Sequence, residues 1–222
     1  RSVTVTNQSG TAVDTATVLQ YQRNNDPGAG SAGVTANLII AEITATSGTV
    51  RLTYSGSVVQ AGVAEEWSGL HPTIGSLVIG TPVGADGVGS TNLASCTDAS
   101  VASGNLAYAV MAVEGPSSDT YTQDADTTNG SWSSLTKVGT SLATATDNQT
   151  VYGGYKVATA AGAQTYNPTI NNARDSAGII AELAAAPGTT KMKVTWGQME
   201  IQAQVPRFAH TALSAVHTAS SW

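Results

Sequence analysis

Charge is scarce in this chain, and so are aromatic rings. Of 222 residues, 11% are Asp, Glu, Lys or Arg, and 5% are Phe, Trp or Tyr. The formal net charge is −6, and the basic residues are scattered, with Lys191 and Lys193 as their densest group. A sequence-independent grip on nucleic acid needs clustered Lys and Arg facing phosphates, so this balance argues against such a partner. A single cysteine, Cys96, excludes an intrachain disulfide and a CxxC zinc site. It reads as a small buried apolar residue, because a reactive thiol needs a base beside it and none is near in sequence. No apolar run approaches the roughly 20 residues of a membrane-spanning helix. The longest runs, Leu38–Ala41 and Leu106–Val113, are strand-sized. No signal-peptide pattern opens the chain, which starts at Arg1 rather than Met, so a cleaved or missing beginning is expected.

What is abundant is Gly, Ala, Ser, Thr and Val, the small and β-branched material of closely packed sheets. Strands are expected at Ser2–Val5, Thr15–Gln22, Leu38–Ala45, Thr49–Ser55, Val58–Glu66, Leu77–Val83, Leu106–Val113, Leu135–Ser141, Val151–Ala158, Tyr166–Ile170 and Gly178–Leu183. Leu106–Val113 is continuously apolar, which predicts a strand covered on both faces. Asn24–Gly33, Gly84–Gly89 and Glu114–Gly130 read as loops, the last long enough to be functional or mobile. Short strands between turn signals, without helical periods, predict an all-β chain: an antiparallel β-sandwich, jelly-roll-like, with under about a tenth of helix.

Two segments echo each other. Thr49–Tyr54 leads into Ala61–Trp67, and Thr165–Ile170 leads into Ala177–Leu183 at the same spacing. This predicts two similar halves within residues 1–187. Ala184–Gly188 reads as a boundary, since Pro187-Gly188 halts any helix. Residues 188–222 are then an extended C-terminal β arm. Met192, Val194 and Trp196 alternate with polar residues, and so do Met199, Ile201 and Val205 after Gly197, as one long strand or two. Phe208, Leu213 and Trp222 are large apolar residues on a tail with little other pattern, and such residues find burial most naturally on a neighbour. These nine residues are the expected assembly contacts.

Catalytic constellations are weak. Gly28–Gly33 matches GxGxxG literally, but Asn24–Pro27 precedes it and a β-like run follows, whereas a dinucleotide site needs a strand before and a helix after. Asp119, Asp124, Asp126 and Asn129 supply oxygen ligands at intervals suited to Ca²⁺. The closing Glu of an EF-hand is missing, so a hydrated loop is the first reading there. Adjacent Glu65 and Glu66 point to opposite faces of a strand and cannot act as a glycosidase pair. Glu66 and Glu182 hold matching places in the echo, which predicts a structural role. His71, His210 and His217 lack metal-ligand spacing, and no GxSxG elbow is present. Trp132, between Ser131 and Ser133, is the candidate for an exposed aromatic touching a ligand such as a surface glycan. Sequons at Asn7, Asn129 and Asn148 are as many as chance supplies in a Ser/Thr-rich chain. No cofactor is expected.

The run Gly62–Leu70 (GVAEEWSGL), then Gly104–Gly115 (GNLAYAVMAVEG), Val151–Ile170 (VYGGYKVATAAGAQTYNPTI) and Ser176–Ala186 (SAGIIAELAAA) resembles β-sandwich domains of tailed-phage virion proteins, also found in large secreted bacterial proteins. Lys193–Gln202 (KVTWGQMEIQ) is similar to short strand modules of phage structural proteins. The resemblance spans residues 35–200. It implies a scaffold at the virion surface, or at a cell surface or in the extracellular space. It transfers no catalytic residue. The expected function is therefore a non-enzymatic structural protein, decorating a capsid or associated with a tail. Its expected partners are its own copies and other virion proteins, with no nucleic acid and no membrane. A carbohydrate- or receptor-binding module and a filament subunit are the alternatives.

Overall fold

The computed structural model describes residues 3–6, 18–25, 33–41, 51–54, 59, 61–144, 147–187, 190–195, 198–203 and 209–212. Strand accounts for 59% and helix for 4%, so the all-β class holds. In chain order the strands are β1 Val3–Thr6, β2 Val18–Asn25, β3 Val34–Ala41, β4 Arg51–Tyr54 and β5 Glu65–Ser68. A single helical turn, α1 Ile74–Leu77, precedes β6 Val78–Asn92. Then come β7 Cys96–Val101, β8 Leu106–Val113, β9 Tyr121–Thr122, β10 Ser133–Ser134, β11 Val138–Gly139, β12 Thr150–Val157, β13 Gly162–Tyr166 and β14 Thr169–Leu183. Beyond Pro187 lie β15 Thr190–Thr195, β16 Gln198–Ala203 and β17 Ala209–Ala212.

The main sheet is antiparallel and runs β10-β12-β8-β14-β6, with β11 also on β12 and β9 also on β14. β8 lies inside it, with Leu106 opposite both Val157 and Leu183 and Val113 opposite both Thr150 and Ser176. Side chains alternate across a strand, and here both faces are covered. Leu106, Tyr108, Val110 and Ala112 meet Ala177, Ile179, Ala181 and Leu183, together with Val34, Ala36 and Leu38 of β3. Ala107, Ala109, Met111 and Val113 meet Ile180, together with Cys96 and Val101 of β7 and Tyr166 of β13. The β2–β3 hairpin thus closes one face and the β7–β13 pair the other. All eight residues of β8 are buried, as its unbroken apolar run predicts.

Gly84–Gly89, expected as a loop, lies inside β6 and pairs with β14. Gly84 and Gly87 are there for close approach, and Gly89 for its positive φ of 52°. A Cβ on Gly87 would sit 2.6 Å from Ser176 Oγ and 2.9 Å from Ala94 N, and one on Gly84 would press into the Arg23 side chain. Glycine inside a strand often marks such a contact. Three register shifts interrupt the ladder between β6 and β14. Val58–Glu66 is also revised: among the described residues pairing starts at Glu65, and residues 61–64 carry no regular structure.

The sequence echo is not matched by the pairing. Its first copy supplies β4, on β1, and β5, on β17. Its second supplies β13, on β7, and β14, inside the main sheet. Glu66 is exposed and Glu182 buried. Past Leu183 the described residues are not helical. Ala184–Ala186 runs beside Gly69–His71, with Ala186 N donating to Gly69 O (2.8 Å) and His71 N to Ala184 O (2.9 Å). The segment with alternating apolar residues is two strands, β15 and β16, paired antiparallel from Thr190↔Ala203 to Thr195↔Gln198. Among the assembly candidates, Met192, Val194, Met199 and Ile201 fall on these strands, while Trp196, Val205, Phe208, Leu213 and Trp222 lie outside the described residues.

Candidate functional site

The acidic loop after β8 is held in place by charge pairing. Asp119 is buried, and its two carboxylate oxygens accept from Arg174 Nε (2.7 Å) and Asn172 Nδ2 (2.7 Å), both on β14. Burial pushes this carboxyl up. The hydrogen bonds from Arg174 and Asn172, with the charges of Arg174 and Lys137, outweigh it and leave the carboxyl below its ordinary value. Lys137 Nζ adds hydrogen bonds to the carbonyls of Ser117 (2.9 Å) and Asp119 (3.2 Å) and lies over the Tyr121 ring.

Asp124 accepts from Asp126 N (2.7 Å) and Asn167 N (2.8 Å). Asp126 binds Lys156 Nζ at 3.0 Å. The Lys156 side chain, on β12, has 0% exposure. It also donates to Thr128 O (3.1 Å) and stands 4.9 Å from the centre of the Trp132 ring, a cation–π arrangement. The Thr128 N–H and then Lys156 hold the Asp126 carboxyl down at about 2.

These contacts answer the Ca²⁺ expectation. Asp119, Asp124 and Asp126 face three separate sets of donors rather than one centre, and Asn129 sits in a left-handed turn (φ 57°) with its carbonyl accepting from Thr159 N. Among the described residues no group of three His, Cys, Asp or Glu is placed to hold a metal. The loop expected to be functional or mobile is tied at Asp119 to β14, at Asp126 to β12 and at Asp124 to the turn between β13 and β14.

Trp132 is also revised. It is only 7% exposed, its ring packs 4.7 Å from that of Tyr166, and its indole N–H donates to Thr165 O (3.0 Å). Its two serine neighbours are exposed and mask an inward side chain. Asn148 is fully buried, with its amide bonded to Thr140, Leu142 and Thr144, so that sequon is closed in the fold. Asn7 lies outside the described residues, as does the GxGxxG run apart from Gly33. Glu182, buried at 3%, accepts from Ala102 N (2.8 Å) and Asn105 Nδ2 (2.6 Å), which ties β14 to the turn between β7 and β8. Cys96 is fully buried, and burial pushes its thiol up to about 12. The His71 ring makes its hydrogen bonds within its own turn, with Thr73. His210 is a backbone position on β17, and His217 lies outside the described residues.

One arrangement is built differently. β5 is seated by its side chains. Trp67 meets Tyr108 and Tyr155 edge-on, at 5.9 and 4.8 Å between ring centres. Glu65 accepts from the Tyr108 hydroxyl (3.1 Å) and from Thr136 N (3.4 Å). Burial, and then the Glu65 charge, drives the Tyr108 hydroxyl well above its ordinary value. Among the described strands, β5 pairs its backbone with β17 alone: Ser68↔Ala209, Trp67↔His210, Glu66↔Thr211 and Glu65↔Ala212. Sequence reading missed this seat. The tyrosines that make it come from β8 and β12, far along the chain.

The fold and these contacts define an all-β sandwich whose buried charges brace its loops and whose β5 is an anchored strand completed by the C-terminal segment. Compared with known protein families, with curated proteins and with solved structures, the chain matches none.

Proposed function

We propose that the chain is a non-enzymatic structural protein whose copies bind one another. We place it at the surface of a tailed-phage virion, as a capsid-decorating or tail-associated subunit in contact with other virion proteins. The observation that carries the building-block reading is β5, an anchored strand whose backbone is completed from the far end of the chain. A strand presented in this way is a docking edge, since main-chain hydrogen bonds supply affinity to any segment that fits it. The phage assignment rests on the motif resemblance at Gly62–Leu70, Gly104–Gly115, Val151–Ile170 and Ser176–Ala186. The rival glycan-binding reading loses its support, because the aromatic residue that motivated it is inside the protein.

Negative-stain imaging and light scattering of the purified chain test the proposal. Regular oligomers or shell-bound particles are expected. A monomer at every concentration reached overturns it, and long fibres favour the filament alternative. A chain ended at Pro187 is expected to keep the sandwich and lose assembly.

A further inference from the structure

We infer that β5 and β17 are an acceptor and a donor exchanged between copies of this chain, so that Ala209–Ala212 of one copy completes Glu65–Ser68 of the next. This rests on the self-assembly reading above and names its contact.

Three observations carry it. The acceptor is held without the donor's help: Trp67 and Glu65 bind it to Tyr108, Tyr155 and Thr136, all on the body of the sandwich. Its strand ladder is the four-pair one with β17. The donor leaves and returns at one place. Ala186 is bonded to Gly69, and Ala209 is registered on Ser68, the adjacent residue. The chain between them is occupied by β15 and β16, which pair with each other.

A segment that departs and returns beside the same strand reaches its own β5 or an identical β5 alongside with the same ladder. The two arrangements share their hydrogen bonds and differ in effective concentration. The linker gives the chain's own β17 an effective concentration on the order of mM, so exchange needs copies held at a comparable local concentration. A ladder of four residue pairs opens easily, and exchange of identical elements is a low-cost route to oligomers. Crowding on a shell or tail then tips the balance toward the neighbour.

The register supplies the test. Glu66 and Thr211 stand directly opposite each other in the register, and Glu66 is exposed. The native thiol, Cys96, is fully buried and does not compete. Full-length Glu66→Cys and Thr211→Cys chains, prepared separately and mixed, are oxidised and read on a non-reducing gel and by peptide mass. A disulfide joining position 66 of one chain to 211 of the other is expected, in a yield that falls on dilution. The double variant is the control. If it cross-links within one chain while the mixture yields no 66–211 bridge, exchange is overturned. If neither forms the bridge, the β5–β17 ladder itself is overturned, and exchange with it. Light scattering on the same samples separates the two proposals. Assemblies without the bridge leave self-association standing and remove exchange, whereas monomers remove both.

Discussion

Arg174 shows most plainly how the scarce charges of this chain are used. Asp119 is buried with the Arg174 guanidinium as its ion-pair partner and Asn172 as its second donor. Removing one partner of a buried pair strands the other charge, at a cost of about 3–5 kcal/mol. Arg174→Ala is therefore expected to lower unfolding stability by about that amount, read from urea titration at neutral pH. Asn172→Ala, which leaves the charge paired, is expected to cost about 1–3 kcal/mol. The acidic loop was visible in the sequence, but the roles of its members were not. Arg174 lies 55 residues from Asp119, and Lys156 lies 30 from Asp126. Spacing rules for local motifs have no purchase on partners brought together only by sheet pairing. Trp132 failed for a related reason. Its serine neighbours mark a surface strand, but only the fold decides which side of that strand meets Tyr166.

The strands divide by how much of their environment their own residues announce. β8 was legible end to end because eight apolar residues in a row have one explanation in a sheet, burial on both faces. The apolar end of β14 was legible in the same way. β6 was legible only over its first part, Val78–Val83, because Gly84, Gly87 and Gly89 read locally as a loop. The strand holds them because the ladder shifts register three times, because neighbours crowd the backbone at Gly84 and Gly87, and because Gly89 takes a positive φ (52°). Gly178 obeys the same logic on β14. A Cβ there would stand 2.6 Å from both Cys96 Sγ and Met111 Sδ. Gly178→Ala is expected to destabilise by about 1–3 kcal/mol through overpacking. Adding Cys96→Ala, which empties one of the two clashing positions, is expected to recover part of the loss. A double-mutant cycle in thermal unfolding measures the coupling, and strict additivity would show that the sulfur is not what the new methyl meets.

Taken whole, the molecule responds to pH from both sides. Asp119 and Asp126 have folded values below their unfolded ones, so the unfolded chain takes up protons first. Their contribution is complete above the ordinary aspartate value. For Asp126 it fades as pH falls from 3.8 to about 2. Glu114 runs the other way. Burial chiefly raises it, so acidification toward its folded value adds stability and partly offsets the loss. At the alkaline end, burial raises the hydroxyl of Tyr121 to about 12 and those of Tyr108 and Tyr166 as well. Their contribution is complete below pH 10 and is lost as pH climbs toward the folded values. Denaturation midpoints across pH are expected to form a plateau that falls below pH 4 and above pH 10. Tyrosinate absorbance from the buried rings should appear together with alkaline unfolding rather than before it.

The outer flank of β6 has a consequence for growth. A long, bare strand at the border of a sheet ordinarily invites endless cross-β stacking. This one carries Pro82, which offers no amide hydrogen, and its three breaks in register leave no straight template for an incoming chain. Strand-on-strand growth along that border is disfavoured, which leaves β5 as the side through which the proposed association would close a ring or shell rather than extend into amyloid.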